Sequence, residues 1–157
     1  MSIQGNVFCY CFKKVSIGIA EESGTITRVF FGSKPLAGFA GAETPLIKKA
    51  AAQIEEYLAG KRQSFALPIA LHGTEFQVAV WQELQKIPFG ETRSYKEIAA
   101  AIGREKAVRA VGMANNRNPI VIIVPCHRVI GHDGSLTGYG GGLPLKRHLL
   151  DLEQGKF

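Results

Sequence analysis

A chain of 157 residues with 46% hydrophobic and 20% charged residues can build one ordinary domain or two small ones, and its composition excludes extended disorder. No stretch approaches the ~18 apolar residues of a membrane span, and the first twelve residues lack the basic then apolar pattern of a signal peptide. No membrane partner is expected, and the expected compartment is the reducing cytoplasm, or the nucleus in a eukaryotic source. A formal net charge of +6 favours an anionic partner.

Three cysteines are present, an odd number, and Cys9 and Cys11 are poorly spaced to pair with each other. Reduced thiols follow. Residues 7–19 and 25–31 are rich in aromatic and β-branched side chains, with Ser23-Gly24 between them, and predict a β-hairpin. Cys9 and Cys11 share one face of the first strand. No second Cys-His pair lies at a zinc spacing, so they read as small hydrophobes, and neither metal nor cofactor is expected. Residues 32–43 read as a Gly-, Ala- and Pro-rich loop. Thr44 then caps a helix to Leu58, with Pro45 at its first position and Gly60 beyond its end. Residues 64–71 predict a short extended piece broken by Pro68.

A boundary is expected near Gly73, dividing the chain into units 1–72 and 73–157. Thr74 caps an amphipathic helix over residues 75–87, with Phe76, Val80, Trp81, Leu84 and Ile87 on one stripe. Ser94 and Glu97 form a capping box that opens a helix stopped by Gly103, and a second helix runs over residues 105–116. Arg93, Lys96, Arg104, Lys106, Arg109, Arg117 and Arg128 oppose Glu97 and Glu105 in this region. Two short helices in a basic segment suggest a helix-turn-helix and nucleic acid. The second helix carries Ala107, Ala110, Gly112 and Ala114, a small-residue face suited to a narrow minor groove with little sequence preference. Tight packing inside a domain explains the same composition equally well.

Residues 120–124 are five apolar residues in a row, read as a buried strand, and they run into Pro125, Cys126 and His127. Glycine-rich backbone follows to Gly142, without the lysine signature of a phosphate-binding loop. A thiol delivered beside an imidazole suits nucleophilic chemistry, with a carboxylate to hold the ring. Asp133, Asp151 and Glu153 are the candidates. A last helix begins near Pro144 and ends at Glu153, with Leu145, Leu149 and Leu152 on one side.

Residues 125–129, Pro-Cys-His-Arg-Val after an apolar run, resemble the active-site signature of the O6-alkylguanine-DNA alkyltransferases. The likeness extends to Ser94-Tyr95, residues 109–112, Asn118-Pro119, Tyr139 and Glu153, covering about residues 74–153. It implies a small ribonuclease-H-like α/β unit followed by a mostly helical unit with a winged-helix-like helix-turn-helix. It further implies a monomer that flips an O6-alkylguanine from duplex DNA, and with it O4-alkylthymine, and moves the alkyl group irreversibly to its own cysteine.

Carried over, Cys126 is the nucleophile, His127 the base through a water, Glu153 its orienter, and Asn118 the residue that fixes the cysteine segment. Tyr95 donates toward the leaving guanine, and Arg109 fills the vacated place in the stack. The resemblance places Ser94, Ala110, Gly112, Asn115, Arg117 and Arg128 at the DNA. The carbonyls of Cys126 and Val129, Tyr139 and the Gly140 backbone form the pocket. Gly140 departs from the family's frequent Ser, and residues 115–117 are more polar than in many relatives. A sister group that senses alkylated DNA without transfer carries Trp in place of the cysteine, so Cys126 favours transfer over sensing.

Overall fold

The computed structural model describes residues 3–13 and 15–156, in two compact units. The first runs to Leu71 and takes in Pro119–Val121; the second holds His72–Asn118 and the chain from Ile122 onward. His72 thus opens the second unit instead of closing the first, and three residues from the middle of the chain belong with the N-terminal sheet.

The first unit is a four-stranded sheet with one helix. Its strands are β1 (Gly5–Phe12), β2 (Val15–Glu22), β3 (Thr25–Phe31) and β4 (Phe39–Gly41), in the order β3-β2-β1-β4. The expected single strand over residues 7–19 is in fact two antiparallel strands, β1 and β2. The chain turns at Lys13, whose φ is +44°, and Lys14 lies outside the described residues. A strand-forming composition extends across the turn, which is why the break is invisible in the sequence. Ser23 and Gly24 both take positive φ, +50° and +79°, as a tight hairpin between β2 and β3 requires. The loop expected over residues 32–43 contains β4, paired in parallel with β1.

Helix α1 (Pro45–Leu58) begins where the Thr44 side chain accepts a hydrogen bond from the Ile47 amide (3.2 Å). It buries Ile47, Ala50, Ile54, Tyr57 and Leu58 and packs on β1, β2 and β3. Pro119–Val121 joins β3 through a single parallel bridge: the Val29 amide donates to the Pro119 carbonyl (2.9 Å), and the Val121 amide to the Val29 carbonyl (3.0 Å).

The second unit consists of α2 (Glu75–Leu84), β5 (Arg93–Ser94), α3 (Tyr95–Ala101), α4 (Val108–Asn116), a 3₁₀ turn (Cys126–Arg128), β6 (Val129–Ile130) and α5 (Leu143–Glu153). Capping boxes at Thr74 and Ser94 start α2 and α3 as their sequences demand. Helices α3 and α4, the pair expected as a helix-turn-helix, pack on each other, and α2 packs on both. The indole N–H of buried Trp81 donates to the Ala114 carbonyl (2.8 Å), so α2 grips α4 by a hydrogen bond as well as by area. Strands β5 and β6 pair in parallel over two residues each. Among the described residues no helix is long and apolar enough to cross a membrane.

Residues 120–124 are not a strand. Ile120 makes one bridge, and the chain then turns through Ile122 at φ +71°, a strained value for a β-branched residue. All five residues are buried or nearly so, which shows what the apolar run encodes. It specifies burial and leaves the backbone dihedrals to whatever partners the backbone finds.

Trp81→Phe removes the bond to Ala114 while keeping most of the ring's packing. It is expected to lower stability by about 1–3 kcal/mol in urea unfolding, through the buried carbonyl left unsatisfied.

Candidate active site

Cys126 opens the 3₁₀ turn, and the surrounding backbone is held by side-chain amides. The Cys126 amide donates to the Val124 carbonyl (2.8 Å) across Pro125, a three-residue turn that aims the following residues inward. Asn118 Nδ2 donates to that same Val124 carbonyl (2.7 Å), and Asn115 Nδ2 donates to the Cys126 carbonyl (3.2 Å). Two asparagines near the end of α4 thus satisfy the backbone carbonyls of Val124 and Cys126, neither of which lies in a strand.

The Cys126 thiol is buried, and burial pushes its pKa up to about 11. Hydrogen bonding from Asn118, the charge of Lys146, its own backbone and Tyr139 pull the other way. At neutral pH only about one thiol in 10⁴ is ionised, so a base must take the proton when reaction occurs. His127 stands next in the chain and is fully buried. Burial holds its pKa below the usual 6.5, against the opposing pull of Glu153, and the charges of Arg128 and Lys146 add to the depression. The imidazole is therefore neutral at pH 7.

Of the three candidate carboxylates, Glu153 is the one beside the ring, with Oε2 2.6 Å from His127 Nε2. Asp133 instead accepts from the Ser135 amide, and Asp151 lies 3.9 Å from Arg147. Arg128 donates to Glu153 through Nε (2.8 Å) and Nη2 (3.0 Å), a fork matched to an ionised carboxylate. The Gly90 amide donates to Glu153 Oε1 (3.1 Å). An anion accepts only, so Nε2 carries the proton of that bond and Nδ1 carries the imidazole lone pair.

Three residues expected at the DNA face inward. The Arg128 side chain is 8% exposed; its Nη1 donates to the Ile87 carbonyl (2.7 Å), and its guanidinium lies 5.7 Å from the Phe89 ring centre. A guanidinium consumed by a buried carboxylate has no reach to a phosphate. Asn115 is 1% exposed and serves the Cys126 carbonyl. Ser94 is buried, and its hydroxyl accepts from the Glu97 amide (3.0 Å) as the cap of α3. Arg109 and Ala110 lie exposed on α4 and Arg117 at its C-terminal cap, whereas Gly112 turns its α-carbon toward the Tyr95 ring.

Tyr95, at the start of α3, donates through its hydroxyl to the Thr137 carbonyl (3.2 Å), and burial raises its pKa. It stays a phenol and a donor. Val129 is buried in β6; Tyr139 is half-buried with its hydroxyl beneath the surface, and Gly140 is exposed with open space where a side chain would stand. Lys146 escapes notice in the sequence, yet it is fully buried beside Tyr95. The sign of it was its spacing, with Leu149, Leu150 and Glu153 on one face of α5.

A buried cysteine beside a His127–Glu153 pair, in a unit of packed helices, defines a thiol centre of nucleophilic type. Residues 75–155 match the family model "6-O-methylguanine DNA methyltransferase, DNA binding domain", and residues 16–71 match its "ribonuclease-like domain". The chain belongs to the 6-O-methylguanine DNA methyltransferase family. It is 61% identical over 107 residues to a methylated-DNA–protein-cysteine methyltransferase of Methanosarcina barkeri, covering 68% of each chain. It is 49% identical over 144 residues to the constitutive methylated-DNA–protein-cysteine methyltransferase of Bacillus subtilis, covering 87% of each. The crystal structure of Mycobacterium tuberculosis OGT in complex with DNA superposes with a TM-score of 0.89 at 42% identity, over 96% of this chain and 94% of that one.

Glu153→Ala strands the Arg128 cation in the interior and is expected to cost about 3–5 kcal/mol, measured by urea unfolding. The double change Arg128→Met with Glu153→Leu should recover most of that loss, because it removes both charges together.

Proposed function

We propose that the protein repairs DNA directly, accepting the alkyl group of an O6-alkylguanine on Cys126 in one irreversible turnover. The observation that carries the reading is the 2.6 Å contact of Glu153 with a neutral, buried His127 next to Cys126, inside a helix-turn-helix unit. Duplex DNA is the partner. Residues 73–157 carry binding and transfer, and residues 1–72 act as scaffold. The exposed face of α4 with Ala110, flanked by Arg109 and Arg117, enters the minor groove, and Arg109 occupies the place of the flipped nucleotide. The protein acts as a monomer.

His127 takes the thiol proton through an intervening water, and the resulting imidazolium is held by Glu153. The sulfur attacks the alkyl carbon in line, the carbon–O6 bond breaks, and the electron pair enters the guanine ring. Tyr95 donates to that developing anion, a contribution of about 10²- to 10⁴-fold when the proton moves in the transition state. The thioether has no leaving group to return, so the protein is spent. At rest the high thiol pKa protects Cys126 from other electrophiles.

The test is mass spectrometry after incubation with a duplex bearing one O6-methylguanine. One methyl, about 14 Da, should appear on Cys126 at a stoichiometry of one, and none in Cys126→Ala, which should still bind the duplex. Binding with no adduct would make the protein a damage sensor, and turnover beyond one equivalent would make it a true catalyst. Because the neutral form of His127 is the base and burial lowers its pKa from the usual 6.5, the transfer rate should vary little above neutral pH and fall in acid solution. Arg109→Ala should slow repair in duplex DNA by about tenfold or more while sparing reaction with the free alkylated base, if the side chain supports flipping.

A further inference from the structure

Asn115 lies in the last turn of α4 and is 1% exposed. Its two polar atoms are treated unequally. Nδ2 donates to the Cys126 carbonyl (3.2 Å), whereas Oδ1 is buried and accepts no hydrogen bond from any described residue. An acceptor left unpaired in the interior is costly and rare, and an apolar side chain of similar size would avoid the cost. The amide cannot relieve it by turning over. Oδ1 would then face the Cys126 carbonyl, acceptor against acceptor, so the bond to Cys126 fixes which way the group points.

The surroundings of that oxygen are the reacting groups. Gly112 lies one turn earlier on the same face of α4, where a side chain would meet the Tyr95 ring at 3.8 Å. One stripe of α4 therefore leads from the Tyr95 ring, at Gly112, to the backbone of the nucleophile, at Asn115. A base that accepts from Tyr95 and reacts with Cys126 has to lie along this stripe. The Cys126 sulfur is enclosed as well, with the Tyr139 hydroxyl hydrogen-bonded to it. Gly138, at φ +38°, and Gly140 flank Tyr139 and let that cover move aside for a ligand.

We propose that Asn115 Oδ1 accepts a hydrogen bond from the 2-amino group of the flipped guanine and sets a preference for alkylated guanine over alkylated thymine. The role rests on the alkyl-transfer reading and names what selects the base. Alkylation at O6 removes the proton from guanine N1, so the 2-amino group is the donor that remains on the ring. O4-alkylthymine keeps no N–H donor on its ring and presents O2, an acceptor, on the corresponding edge. It leaves Oδ1 unpaired and facing a second lone pair. A site built to hydrogen-bond a substrate N–H rejects an analogue without one for that reason. Asn115 moves no proton and makes no covalent bond; it decides which base is held in line with the sulfur.

The experiment is single-turnover transfer, with protein in excess, from duplexes carrying O6-methylguanine, O6-methylhypoxanthine (the same base without its 2-amino group) or O4-methylthymine. Wild type is compared with Asn115→Leu, and with Asn115→Ala if the first variant does not fold. Wild type should react with O6-methylguanine about tenfold or more faster than with either other base. Asn115→Leu should lose about tenfold on O6-methylguanine yet stay within about threefold of wild type on O6-methylhypoxanthine and O4-methylthymine, so the preference collapses. A variant that slows all three substrates alike marks a structural role and overturns the proposal. A variant that keeps the wild-type preference does so too, and assigns the oxygen to a buried water. Equal wild-type rates on O6-methylguanine and O6-methylhypoxanthine overturn it without any variant. If wild type gains no methyl from O6-methylguanine, the alkyl-transfer reading falls and the Asn115 role with it; if wild type reacts and the preference is indifferent to residue 115, only the Asn115 role fails.

Discussion

The Glu153 carboxylate, at the last turn of α5, accepts from His127, Arg128 and the Gly90 amide, and the geometry of the second unit depends on that convergence. Such an anion in the interior is tolerated only because each of its oxygens is satisfied and one full positive charge sits against it. The same balance sets the chemistry. Desolvation holds His127 neutral against the pull of Glu153, and the charge of Arg128 opposes part of that pull. A fully unopposed carboxylate would favour the protonated ring. Arg128 therefore has an electrostatic duty toward the centre even though it touches neither thiol nor imidazole proton.

The cysteine is carried on a turn, and its rigidity comes from side chains. Asn118 occupies the Val124 carbonyl and Asn115 the Cys126 carbonyl, so buried polar backbone finds partners without a neighbouring strand. Ile122, at positive φ, stores local strain of the kind that persists only where the surroundings over-determine it. The result is a thiol held in one place before any ligand arrives, the condition for in-line attack. Because α4 also displays Arg109 and Arg117 to solvent, one helix both presents a basic face and fixes the floor of the centre.

Burial gives the thiol two opposed properties. It suppresses the thiolate at rest, and it makes every nearby charge count for more once water is excluded. The charge of Lys146 and hydrogen bonds from Asn118 and Tyr139 favour the thiolate, against the larger effect of burial. A protein used once gains from that restraint, since each adventitious alkylation would consume a molecule.

Much of this was legible in the chain itself. The caps at Thr44, Thr74 and Ser94, the apolar stripes of α1 and α2, the Ser-Gly hairpin and the Cys-His pair are local signals, and local physics reads them. The family signature around residues 125–129 pointed to Glu153 across more than twenty residues, a link that spacing alone had left open among three carboxylates. Tertiary structure decided the rest. It turned residues 120–124 from a strand into a buried turn, sent Pro119–Val121 to the sheet, drew Arg128, Asn115 and Ser94 inward from the expected DNA face, and placed Lys146 beside Tyr95. The physical reason is common to all of them. A sequence specifies how apolar or charged a residue is, but the hydrogen-bond partner that fixes its direction can come from tens of residues away, and only the folded chain brings the two together.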